Sequence, residues 1–192
     1  MDLEYEIYPT KIFVDSNVIL ECLPLKDLPW GEIDPIGPIL VMLTPTLLRE
    51  VDSKKRDGRL AVRAREFNRR VAPIADGASL INLRAEAPRV DIAMAICNKI
   101  DWACYDDLDP SQGDARLVAE VLNVRAIPFE ERVVISQDIN PLFMAKRHGL
   151  KTHHISDAWL GQPEQSMQDK EIAKLKRQVA EYVKSEPSFN IQ

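Results

Sequence analysis

Four carboxylates in this sequence sit where a charge needs an explanation. Asp15 directly follows the apolar run Ile12-Phe13-Val14 and is followed by Ser16, Asn17 and further apolar residues. Asp138 comes two residues after the run Val133-Val134-Ile135-Ser136. Glu50 shares a helical stripe with Leu47 and Val51, at i, i+3 and i+4. Asp114 shares another with Leu117, Val118 and Val121. A carboxylate at the margin of a core costs free energy unless a metal ion, a helix N-terminus or a basic side chain meets it. Each acid alone has a plainer use. Asp15 and Asp138 are placed to cap helices that follow strands. Asp114 is placed to complement a helix dipole three residues after Ser111. Glu50 is placed to pair with a base at the core edge. Taken together, acids converging on one site repel one another unless cations lie between them. Carboxylate and water oxygens suit Mg²⁺ or Mn²⁺ rather than zinc. No cysteine or histidine cluster competes, since His148, His153 and His154 lack the i, i+4 pairing of a helical zinc site.

The elements that must position these acids follow from the apolar pattern. Residues 11–15, 39–43, 78–83, 132–136 and 151–155 read as strands. Residues 16–22 start a helix, and 23–38, with four prolines, form a loop or a broken helical insertion. Thr44 caps a helix that has Pro45 at its first position and runs to about Asp57, where Gly58 breaks it. A basic helix covers 59–72. Pro88 opens another, with Val90, Ala93, Met94 and Cys97 at helical spacing. An acidic loop spans 104–110, Ser111 caps a helix to about Asn123, and a helix over 138–148 ends at Gly149. Strands alternating with helices predict a three-layer α/β/α fold around a central, mostly parallel sheet. In such sheets ligands sit beyond the carboxyl ends of the strands, where Asp15 and Asp138 stand. The domain is expected over 1–160, with a C-terminal helical extension over 161–192 whose helix covers about 164–184.

Bulk properties narrow the setting. The chain has 192 residues, 45% of them hydrophobic, enough for a real core. Three cysteines, with no CxxC pair, indicate free thiols and a reducing compartment. No apolar run approaches a membrane span and the acidic N-terminus is no signal peptide, so a cytoplasmic protein is expected. Net charge is −5, but residues 49–70 hold nine Lys or Arg against four acids, a local excess of +5. That run is either a solvated helical face or a phosphate-contacting surface. Phe67 is its one aromatic, so no base-stacking platform is evident within it.

Strand-Asp15-Ser16-Asn17, Glu50 on the helix after the next strand, Gly113-Asp114-Ala115-Arg116 opening a helix, and Val134-Ile135-Ser136-Gln137-Asp138 before the last helix–strand unit resemble the PIN domain family. The resemblance covers about residues 11–157. It implies a metal-dependent nuclease, most often a ribonuclease, with an acidic pocket formed by Asp15, Glu50, Asp114 and Asp138 and Mg²⁺ or Mn²⁺ as cofactor. It further implies RNA as substrate and products with 5′-phosphate and 3′-hydroxyl ends. Asn140 stands where many members carry a further acid or aromatic. Toxin-type members form homodimers and bind an antitoxin; the loop 23–38 and the terminal helix exceed those small members, and no residue here points to either partner.

Phosphodiester hydrolysis needs an activated water and a counter-charge on the phosphate, and a divalent metal supplies both. Asp15, Asp114 and Asp138 are the expected direct ligands, with Glu50 acting through water or as the proton acceptor. Asn17 and Ser136 are candidates to orient the acids or touch phosphate, or simply to cap turns. Lys54, Lys55, Arg56, Arg59 and Arg63 are candidate contacts to the strand backbone. One rival is a haloacid-dehalogenase-like phosphatase, but its second acid would stand at Asn17. Another is a PIN-like binding or assembly module without activity. A dinucleotide enzyme is disfavoured because no GxGxxG follows a strand.

Overall fold

A computed structural model describes residues 5–160, 172, 174–179 and 181. Its centre is a six-stranded sheet of β1 (Thr10–Val14), β2 (Ile39–Leu43), β3 (Ile81–Arg84), β4 (Val90–Met94), β5 (Arg132–Ser136) and β6 (Lys151–His154). The strand order is β3-β4-β2-β1-β5-β6, parallel except for the edge strand β3. Five helices connect the strands: α1 (Ser16–Leu20), α2 (Pro45–Ser53), α3 (Ala61–Ala75), α4 (Gly113–Leu122) and α5 (Ile139–Arg147). The predicted three-layer arrangement is the one found.

Alternation along the central strands supplies both faces of the sheet. Ile12 and Val14 of β1, with Ile39, Val41 and Leu43 of β2, pack under α1, α2 and α3. Phe13, Leu40 and Met42 point the other way and meet α4 and α5 through Ala115, Val118, Val121, Leu142 and Ala145. Central strands buried on both sides lose the polar alternation of a half-exposed strand. That loss explains one correction. Residues 90–94, predicted as helix, are the strand β4, parallel to β2 and antiparallel to β3. Val90, Asp91, Ile92 and Ala93 are all buried, and a short, fully buried run fits helical spacing as well as strand spacing.

Several boundaries also differ: α3 spans Ala61–Ala75 against the expected 59–72, and β3 spans Ile81–Arg84 against the expected 78–83. Thr44 does cap α2, its hydroxyl oxygen accepting from the Leu47 amide at 3.3 Å, but α2 stops at Ser53 and a 3-10 turn covers Lys54–Arg56. Ser111 does not cap α4. Gln112 holds that position without a side-chain bond, while the Ser111 amide donates to Asp109 at 2.8 Å. The chain divides into two units, Met1–Gly161 and Gln162–Gln192. In the second, residues 172, 174–179 and 181 are helical; the rest of the predicted 164–184 helix lies outside the described residues. Among the described residues no helix is long and apolar enough to cross a membrane.

Candidate active site

The order β2-β1-β5 makes β1 the strand at which the connections change direction, so a crevice opens where β1 and β5 end. Asp15 lies there, only 6% exposed. One of its carboxylate oxygens caps α1 by accepting from the Val18 amide at 3.1 Å. The other accepts the hydroxyl of Ser136, the last residue of β5. The Ser136 Oγ in turn accepts from the Asp138 amide at 2.8 Å. One serine thus joins the two acids across parallel strands.

Burial pushes the Asp15 carboxyl up to about 6. The Ser136 hydroxyl and the Val18 amide pull it down, and the charge on Asp138 pushes it further up. Among the described residues none of the groups that shift it is a cation. Asp138 occupies the N-cap position of α5 yet makes no capping bond. Its Oδ2 accepts instead from Asn17 Nδ2 at 2.7 Å. The capping use therefore holds for Asp15 and fails for Asp138.

A second pair sits beside the first. Asp114, in the first turn of α4, accepts from Asn140 Nδ2 at 2.8 Å through its Oδ2. Glu50, half-buried on α2, turns its carboxylate onto Gly113: a Cβ there would lie 2.0 Å from Glu50 Oε1. Glycine at 113 is thus what admits Glu50 next to Asp114. Asp138 and Asn140 share the start of α5, so that turn touches both pairs. All four predicted acids gather at one rim of the sheet, but they are held as two pairs by Ser136, Asn17, Asn140 and Gly113. Among the described residues no three His, Cys, Asp or Glu side chains stand close enough to hold a metal ion together. The donor chemistry suits a hard divalent cation, and a buried carboxylate without a cationic neighbour is the kind of group such an ion relieves.

The basic segment lies on the same side of the sheet as α1. Lys54 pairs with Asp57 at 3.5 Å, Lys55 with Asp52 at 2.8 Å and Arg59 with Glu21 at 3.3 Å. Arg56 is exposed. Arg63 lines a groove of about 470 Å³ together with Lys26, Phe67, Arg69 and Arg70. Asp101, just before the acidic loop, and Asp109 within it close local turns, and Asp107 pairs with Arg147 at 3.3 Å and His148 at 3.1 Å. Trp159 is fully buried edge-on against Trp30, with ring centroids 5.2 Å apart.

Buried charges outside the crevice went unnoticed in the sequence. Glu120 accepts from the Thr46 amide at 3.0 Å and its hydroxyl at 2.8 Å, so α4 secures the N-terminus of α2. Arg132 donates to the carbonyls of Val121, Leu122, Val124 and Ile127 and clamps the end of α4. Asp91 accepts from the Tyr8 hydroxyl at 2.9 Å and pairs with Arg89 at 2.6 Å. Glu120 and Asp91 each interrupt an otherwise apolar stretch, whereas Arg132 follows Glu130 and Glu131 and gave no such signal.

No family model and no curated protein matches this chain. Among solved structures it is similar to a domain of a functionally unknown protein from Methanocaldococcus jannaschii DSM 2661. That match has 12% identity and a TM-score of 0.47, covering 80% of this chain and 96% of the other.

Proposed function

We propose that the chain is a PIN-type nuclease that hydrolyses phosphodiester bonds of single-stranded RNA with Mg²⁺ or Mn²⁺. The observation that carries this reading is the buried Asp15 at the end of the central strand, tied through Ser136 to Asp138, with a second pair, Asp114 and Glu50, at the same rim of the sheet. Asp15, Asp114 and Asp138 would hold the ion. When bound, the ion lowers the pKa of a water and offsets charge on the phosphate. Glu50 takes the proton from the attacking water, directly or through a second water. Ser136 fixes the orientation of Asp15, as outer hydrogen bonds do for metal-binding carboxylates. Asn17 and Asn140 donate to Asp138 and Asp114, and those hydrogen bonds would have to be given up for the acids to share one ion.

The test is cleavage of labelled single-stranded RNA and DNA with Mg²⁺, Mn²⁺ or EDTA, comparing wild type with Asp114→Asn and Glu50→Gln. Metal-dependent cutting is expected, reduced about 100-fold or more in either variant. Cutting that persists unchanged in both variants would remove the site from consideration. A second reading, a PIN-like binding module without activity, is favoured by the absence of three acids within ligating reach among the described residues. Calorimetric titration with Mn²⁺ separates the two: no heat of binding in the wild type decides for the module.

A further inference from the structure

The outer face of α5 is not the charged surface its position predicts. Ile139 is 75% exposed and Phe143 is 60% exposed. They stand at i and i+4, so they are neighbours on one face. Lys146 and Arg147, at i+7 and i+8, extend the same face. The result is a ridge with two apolar side chains, then two cations, about 12 Å long at helical rise.

The start of the ridge coincides with the crevice. Ile139 directly follows Asp138, and Asn140 reaches Asp114. Two large apolar side chains exposed side by side next to a crevice form a contact patch rather than an isolated surface residue. Arg147 is already paired with Asp107, but the exposed Lys146 at the far end favours a cover that carries negative charge. Meanwhile three cations of the segment 54–63 are already paired with acids of this chain.

We infer that α5 is a strand-binding ridge: an unpaired nucleobase stacks on Phe143 beside Ile139, and the phosphate next to it contacts Lys146. Stacking on an aromatic accepts any base because every base has a π-face. Phosphate contact fixes the position of the strand without reading its sequence. The ridge thus selects single strands over duplexes, whose bases are already stacked. Arg147 remains with Asp107 and shapes the end of the ridge. This assignment rests on the nuclease reading for its purpose, but its test needs neither metal nor cleavage.

The experiment is fluorescence anisotropy with a labelled mixed-sequence single-stranded RNA, the matching DNA and the blunt duplex, in EDTA, so that no cutting occurs. Wild type should bind both single strands more tightly than the duplex. Phe143→Ala should weaken single-strand binding about tenfold, Phe143→Tyr should keep it, and Phe143→Leu should lose it although it remains apolar. Lys146→Gln should lower the slope of log affinity against log salt by about 0.7. Both sites are on the surface, and unchanged circular dichroism confirms folded variants. Equal binding by wild type and Phe143→Ala overturns the ridge. So does Phe143→Leu binding as tightly as Phe143→Tyr, or a wild type that binds no single strand. A wild-type dimer that Phe143→Ala makes monomeric, with RNA binding unaltered, also overturns it and assigns the face to a second copy. Active cleavage with no Phe143 effect would refute the ridge alone; the Phe143 effect without cleavage would refute the nuclease alone.

Discussion

At the scale of single residues, Asp15 carries the clearest consequence. Its carboxyl is pushed from the usual range near 4 up to about 6 in the folded protein. The folded state therefore holds a proton that the unfolded state has released between those values. The stability associated with it is complete below about pH 4 and is lost as pH rises through about 6. The loss is about 3 kcal/mol in the metal-free protein. Asp15→Asn, which carries no charge to desolvate, should be more stable than wild type at pH 7.5. That margin should vanish near pH 3.5, as read from urea unfolding at both pH values. Mn²⁺ should raise the melting temperature of wild type at pH 7.5 and leave the variant unmoved.

Gly113 gives a second test at this scale. Gly113→Ala puts a Cβ where Glu50 Oε1 now lies. The flexible carboxylate can retreat, and helix propensity favours alanine, so the melting temperature should not fall. Cleavage, by contrast, should drop at least tenfold in the same preparation. The acids themselves were legible because a charge interrupts an apolar run. Their partners were not: whether Ser136 meets Asp15, or Asn140 meets Asp114, depends on which strands become neighbours, and local spacing is silent on that.

At the scale of elements, helix ends are secured by buried charges from other elements. Arg132, 8% exposed, satisfies carbonyls at the end of α4 that helix geometry leaves without partners. Arg132→Met keeps the apolar stem and removes all of those donors. It should cost about 3 kcal/mol or more in urea unfolding. Glu120→Gln retains an acceptor for Thr46 and loses the charge at the N-terminus of α2, so it should cost about 1 kcal/mol. The same long-range dependence explains what was misread. β1, β2 and β5 were legible because their apolar runs are flanked by turn and cap residues. β4 was read as helix because burial on both faces erased its period, and because its neighbours lie far away in the chain.

At the scale of the whole molecule, the layered fold was legible from the alternation of elements, while the strand order was not. Order is decided by packing of the two cores, which no local pattern encodes. Packing also ranks the thiols. Burial pushes Cys22 up to about 12 and Cys97 to about 11, whereas Cys104 is exposed. Native protein at pH 8 should react with a thiol reagent quickly at Cys104 and slowly at the other two, as mass spectrometry of timed samples would show. Fast labelling of Cys22 would mean that the packing around α1 opens readily. The central position of β1 has a consequence in time. A ribosome releases the chain from its N-terminus, so β1 and β2 emerge long before β5. Until residue 136 is made, one edge of the innermost strand has no neighbour, and Asp15 lacks the hydroxyl that holds it. Every shorter nascent chain offers an open apolar strand edge to other chains, and Asp15 and Asp138 are not yet joined through Ser136. The crevice at the ends of β1 and β5 is therefore completed only when the last part of the first unit has been made.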